Sequence, residues 1–255
     1  MVVIISSAKT MDFTSYNIPD DLVIGNHIFY NETQNLLDIL RNFNQDDLQK
    51  ILNVSKRLAD CNFQRFQNFK NAESKMAIFA YKGDVYKDIN PESFNQAHLE
   101  FLQSHFLIIS GLYGLLYPLN MISPYRLEMQ AKIPGLIPSK LSQYWKELIS
   151  KFLNQYTKNN HYQFILNLAS KEYSSVLDSR YISVPVININ FRQQSVNQIK
   201  NIGIFAKKAR GLMSNFIVRN KITDLESIKK FHEDGYRFVN RYSDSYNLTF
   251  IRPDS

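Results

Sequence analysis

A chain of 255 residues with 44% hydrophobic and 21% charged content has an ordinary globular balance and is long enough to bury a sizeable core. Its net charge of +7 points to an anionic partner: a nucleic acid, a phosphorylated small molecule or an anionic membrane surface. No apolar run approaches the ~18 residues needed to span a bilayer, and the single cysteine, Cys61, excludes an internal disulfide and fits a reducing, cytoplasmic setting.

Val2 to Ser6 reads as a buried first strand, too short and too poor in basic residues to be a leader. The helical lobe follows, over about residues 33–70. Asn35 to Phe43 sets Leu36, Leu37, Leu40 and Phe43 on one face, and Asp46 to Leu52 and Ser55 to Phe69 continue it. Cys61 lies in the last of these as a small core or groove residue. Met76 to Tyr81 reads as a strand. Asn90 and Pro91 signal a helix start, with the helix running to about Ser104. Phe106 to Ser110 is the next strand. Pro118 to Pro138 reads as an ordered excursion over the surface. From Ser139 a helix turns Leu141, Trp145, Leu148, Phe152 and Tyr156 inward. Phe164 to Leu168, Val184 to Phe191, Ile202 to Phe205 and Leu248 to Ile251 complete the strands, several buried on both faces. Leu212 to Asn220 reads as helix, and Thr223 to Glu226 as a capping box for the next. Strands alternating with helices imply an α/β class: a mixed sheet with surrounding helices and a small helical lobe, in one domain over residues 1–255.

Between Asp178 and Asp224 there is no Asp or Glu, yet the stretch holds Arg180, Arg192, Lys200, Lys207, Lys208, Arg210, Arg219 and Lys221. Cations grouped without counter-charges repel one another unless an anion shares the site. In α/β sheets ligands gather beyond the carboxyl ends of strands. If those ends converge, one cleft collects Lys9, Lys82, Lys207, Lys208 and Arg210. Ser6, Thr10, Ser110 and Ser170 add hydroxyls, and Asp12, Asp84, Glu128 and Glu172 fix cation positions by pairing. Tyr81, Tyr86, Tyr113 and Tyr125 are candidates for stacking on bases. Arg126 sits on the same extended segment as Glu128. Gly111 to Gly114 is equally consistent with a turn that needs φ > 0.

Catalytic and metal signals are weak. None of His27, His98, His105, His161 and His232 lies in a ligand motif. There is no nucleophile elbow and no phosphate-loop frame. No cofactor and no metal are expected.

Several strings taken together resemble the YaaA family of bacterial peroxide-stress proteins. They are Ile5 to Asp12, Tyr81 to Tyr86, Ser110 to Leu119, Pro124 to Met129, Asn167 to Tyr173 and Ala206 to Ser214. They occur in family order along nearly the whole chain, with Ser7 where the family usually has Pro. The resemblance implies a cactus-like α/β fold, a positively charged cleft and a DNA-binding protein that limits free intracellular iron under peroxide stress. It also implies a helix–hairpin–helix element, for which Asp46 to Phe69 is the candidate, with Lys56, Arg57 and Arg65 nearby but without closely spaced glycines.

The expected site is therefore Ser6, Lys9, Thr10, Lys82, Tyr113, Arg126, Ser170, Lys207, Lys208 and Arg210, binding DNA with little base specificity. The alternative is an enzyme acting on a small anionic or nucleotide-like substrate in the same cleft.

Overall fold

Val2, Val3, Ile4 and Ile5 are wholly buried in β1 (Val2–Ser6), the inner strand of an eight-stranded sheet. A strand covered on both faces has no polar side to show, so it reads as an unbroken apolar run. The computed structural model describes residues 1–14, 25–195 and 198–253. After the short β2 (Thr10–Met11) come α1 (Tyr30–Arg41), α2 (Gln45–Leu52) and α3 (Lys56–Gln67), which make up the helical lobe. Asn44 caps α2 by accepting the Asp47 N–H at 2.9 Å, and Asn53 ends it at φ 49°. Asn tolerates that left-handed conformation better than most residues, so no glycine is required between α2 and α3. The buried face of α3 is Ala59, Asn62 and Phe66. Cys61 points away from that face and is exposed, not in the core as expected.

The expected strand from Met76 to Tyr81 is broken by one helical turn. β3 (Lys75–Met76), α4 (Ala77–Ala80) and β4 (Tyr81–Lys82) share the segment. The Ala77 and Ile78 N–H groups donate to the carbonyls of Asn120 and Pro118, so a distant stretch of chain bends the backbone here. Next come α5 (Asp84–Ile89) and α6 (Gln96–His105). Asn90 does not start α6. It closes α5 at φ 50°, and Pro91 opens a separate 3-10 turn. The true cap is Asn95, whose side chain accepts the His98 N–H at 3.0 Å while His98 Nδ1 accepts the Asn95 N–H. Asn95→Ala is expected to lower stability in urea titration by about 1 kcal/mol, and Asn90→Ala does not act through this cap.

β5 (Phe106–Ser110) lies parallel to β1, and β6 (Gly114–Leu116) turns back antiparallel to β5. β7 (Met121–Ile122) pairs with β3. At the start of β6, Gly114 has φ 67° and packs under Trp145 and Phe29. A Cβ at Gly111 would sit 2.2 Å from the Leu127 carbonyl oxygen. The proline-rich excursion therefore runs directly over this turn, burying Tyr125, Leu127 and Met129. In α7 (Leu141–Asn159) the fully buried stripe is Leu141, Trp145, Ile149 and Leu153, and the expected Leu148, Phe152 and Tyr156 pack at its border.

The remaining elements are β8 (Ile165–Asn167), α8 (Lys171–Ser174), β9 (Val186–Ser195), β10 (Gln198–Lys200), α9 (Gly203–Arg219), α10 (Leu225–Ile228), β11 (Arg237–Phe238) and β12 (Asn247–Pro253). The sheet order is β11-β12-β9-β8-β1-β5-β6, with β10 beside β9. The inner strands are parallel, and β6, β10 and β11 are antiparallel. This is the expected α/β class with a mixed sheet.

The expected strand from Ile202 to Phe205 does not form. Ile202 is the extended residue before α9, and Gly203 to Phe205 belong to the helix, which continues unbroken through the helix expected from Leu212. Small residues decide this. Ala206, Ala209 and Gly211 are buried on α9, and a Cβ at Gly211 would lie 2.3 Å from the Val85 carbonyl oxygen and 2.7 Å from Asp88 Cβ. α9 thus rests on α5 with its backbone almost in contact. α10 is capped by Asp224, which accepts the Ser227 N–H at 2.8 Å, one residue later than the expected Thr223. Among the described residues no helix is long and apolar enough to cross a membrane.

Candidate anion-binding cleft

β1 has β5 on one side and β8 on the other, and the chain reaches these two neighbours in separate excursions. Such a switch point leaves a crevice beyond the carboxyl ends of the strands. A cavity of about 730 Å³ lies there. Ser6 ends β1, and Ser7, Ala8 and Lys9 follow it into the wall. β2 and β4 pair antiparallel, Thr10 opposite Lys82, and form the rim. Ser170, Lys171, Glu172 and Tyr173 enter after β8, and Lys207 and Arg210 come from α9 across the backbone contact at Gly211.

Hydrogen bonds fix this frame. The Ser170 N–H donates to Ser6 Oγ at 2.9 Å, joining the ends of β1 and β8. The Tyr86 hydroxyl donates to the Ser6 carbonyl at 2.9 Å and ties α5 to the same point. Ser6 and Ser170 therefore join the elements of the wall as well as lining it.

The cations differ in how well they are matched. Lys9 Nζ donates to Glu128 Oε2, and Arg126 donates to Glu128 Oε1 at 2.9 Å. Burial pushes the Glu128 carboxyl up, but the bonds and charges of Lys9 and Arg126 outweigh it and hold the group below its ordinary value. Lys82 Nζ lies 3.6 Å from Asp12 and 3.5 Å from Glu92. Among the described residues no ion pair engages Lys207 or Arg210. The Arg210 guanidinium is half-buried, its Nε is shielded from water without a hydrogen-bond partner, and burial pushes its pKa down.

Three expected site residues lie elsewhere. Lys208 is turned out of the lining, and its Nζ donates to Asp234 Oδ1 at 3.1 Å. A helix turns neighbouring residues apart, so two adjacent lysines cannot share one face. Tyr113 is in the core: its hydroxyl accepts the Ser123 N–H at 3.0 Å, and burial pushes the phenol up. Arg126 is not in the lining; it pairs with Glu128, which also holds Lys9 of the wall. Ser110 is likewise buried, sharing a hydrogen bond with Tyr125, and Tyr81, Tyr86 and Tyr125 are all buried, so none of the four tyrosines presents a free face for stacking. The structure adds Ser7, Lys171 and Tyr173 to the lining. Lys171 and Tyr173 follow Ser170 directly, so the signal that found Ser170 extends to them. Burial pushes the Glu172 carboxyl up, with the negative charge of Glu128 adding to it.

Glu128 predicts an acid-sensitive contact. Its folded-state pKa lies below the unfolded value near 4.5, so its contribution to stability is present above that pH and is lost as pH falls through the folded value. Melting curves between pH 6 and pH 3, at roughly half-unit steps, should show a larger acid loss for the parent than for Glu128→Gln. Equal losses would assign the acid sensitivity to other carboxylates.

A family model described as "Peroxide stress protein YaaA" matches residues 1–242. The chain is 43% identical over 252 residues to a UPF0246 protein of Rickettsia felis, covering 99% of this chain and 100% of the relative. It is 42% identical over 252 residues to a UPF0246 protein of Rickettsia bellii, and 40% identical over 253 residues to one from Crocosphaera subtropica, with the same coverage in both cases. The family resemblance carried by the strings between Ile5 and Ser214 is borne out.

Proposed function

This chain belongs to the peroxide stress protein YaaA family, and from that premise we propose that it is a cytoplasmic DNA-binding protein that helps limit free iron and oxidative DNA damage. The cleft holds DNA through phosphate, with little base specificity. One observation carries the reading: Lys9, Lys82, Lys171, Lys207 and Arg210, drawn from separate segments, line a single recess. Grouped cations between low-dielectric walls concentrate positive potential, and hydroxyl and amide groups orient the phosphate that it attracts. The helical lobe, with Lys56 and Arg57 exposed at the start of α3, supplies a second basic surface for the same DNA.

Phosphate binding releases counterions, with a log–log salt slope of about −0.9 per contact on duplex DNA. Engagement of Lys9, Lys82, Lys207 and Arg210 gives a slope of roughly −4. Fluorescence anisotropy with a labelled duplex over a salt series measures it. A slope near zero, or no binding at low salt, contradicts the proposal.

A second reading, an enzyme acting on a small anionic or nucleotide-like substrate, is favoured by Glu172. This half-buried carboxyl has its pKa pushed up and sits in the same wall as the cations, where a proton acceptor or donor would be placed. Turnover of a nucleotide that is lost in Glu172→Gln, with binding retained, would support it.

A further inference from the structure

We infer that the cleft receives the terminal phosphomonoester of a single nucleotide, free or at the end of a DNA strand, with Lys207 and Arg210 as its counter-charges. This rests on the phosphate reading of the same recess and narrows its ligand.

The charge balance comes first. Lys9 already answers Glu128, and Lys82 answers Asp12 and Glu92. Lys207 and Arg210 are left without carboxylates, three residues apart on α9 and lining the same recess. A backbone phosphodiester brings one negative charge. A phosphomonoester carries about −1.5 to −2 at neutral pH and offers three acceptor oxygens. It matches two unanswered cations, and the guanidinium fork suits two of its oxygens at once.

Size comes second. The recess of about 730 Å³ falls within the roughly 300–1,000 Å³ typical of small-ligand sites. A duplex presents its phosphates along a convex cylinder and can contact lining cations but not fill the recess. A chain end or a free nucleotide can enter.

The remaining walls suit the rest of a nucleotide. Val85, Leu168 and Tyr173 give the wall an apolar part, while Glu172 and Ser7 supply polar groups for a sugar hydroxyl or a base amino group. Arg210 itself is a poor choice for stability. A half-buried cation with no partner is costly in the empty protein, and a neutral side chain of similar size relieves that cost.

The test is calorimetric titration of the full chain with deoxyadenosine, deoxyadenosine 5′-monophosphate, and duplex oligonucleotides ending in phosphate or in hydroxyl, alongside binding to covalently closed circular duplex. Parent, Lys207→Ala and Arg210→Met are compared, with melting temperatures recorded. The expected result is at least tenfold tighter binding of the phosphorylated member of a pair, abolished in Arg210→Met and weakened in Lys207→Ala, while Arg210→Met melts no lower than the parent. Preference for the monophosphate alone assigns a free nucleotide; preference for phosphorylated ends alone assigns strand termini; either supports the inference. Lys207 is exposed, so its variant keeps the test valid should Arg210→Met fold poorly. Equal binding of phosphorylated, hydroxyl-ended and closed DNA, still weakened by both substitutions, overturns the inference and leaves general DNA binding standing. Binding of every ligand unaffected by either substitution overturns both.

Discussion

The Lys207→Ala, Arg210→Met double variant binds DNA at least about a hundredfold more weakly than the parent at low salt, and its salt slope is shallower by about two. Hydrogen bonds to charged groups contribute roughly 1.5–3 kcal/mol each, so loss of both cations removes about 3–6 kcal/mol. Each lost phosphate contact also withholds one released counterion, which accounts for the change in slope. Lys208→Ala is the matched control. Its ammonium group is held by Asp234 outside the cleft lining, so that variant keeps nearly the parent slope. Anisotropy titrations over one salt series compare all three proteins. A Lys208→Ala effect as large as that of Lys207→Ala would place the DNA on the other face of the helix.

Gly211→Val is expected to be the most damaging single substitution around the cleft. The first added carbon would meet the Val85 carbonyl oxygen at 2.3 Å, and backbone cannot swing aside as a side chain can. α9 must separate from α5 or the helix must bend, at a cost of about 3 kcal/mol or more. For a chain of this size that lowers Tm by roughly 6–12 °C. DNA binding falls as well, because Lys207 and Arg210 are carried by the displaced helix. Gly203→Ala is the control: a Cβ there meets nothing within 4 Å, so the melting temperature should hold or rise slightly. Calorimetric melting of both variants distinguishes a steric role of Gly211 from a general need for glycine in α9.

The parts of the fold that were legible in sequence are those whose pattern is local. β1 and β5 are buried on both faces, and their apolar runs announce it. Ser6, Lys9 and Ser170 followed from strand ends alone. α9 was not legible at its start, because a run as short as Ile202 to Phe205 fits a strand or a helix equally well. Its helical state depends on the small-residue face meeting α5, a contact between residues more than a hundred positions apart. The same distance hid the partners of the cations. Glu128 is 119 residues from Lys9, and Asp234 is 26 residues beyond Lys208. A stretch free of acids in sequence is thus not free of acids in space. Asn90 and Asn95 both carry good cap chemistry, and only the left-handed backbone at Asn90 decides between them. Tyr113 is a stacking candidate in sequence, and it lies between Gly111 and Gly114. Those glycines are instead explained by the Leu127 backbone and the Trp145 ring packed against them.

Lysine acetylation footprinting of the full chain, with and without saturating DNA, tests most directly whether cations remote in sequence act as one site. Lys9, Lys82, Lys171 and Lys207 should lose reactivity together, while Lys158, exposed at the end of α7, keeps its own. Protection confined to Lys56 and Lys70 on the helical lobe, with Lys82 and Lys207 as reactive as before, would contradict the account and place the DNA away from the cleft.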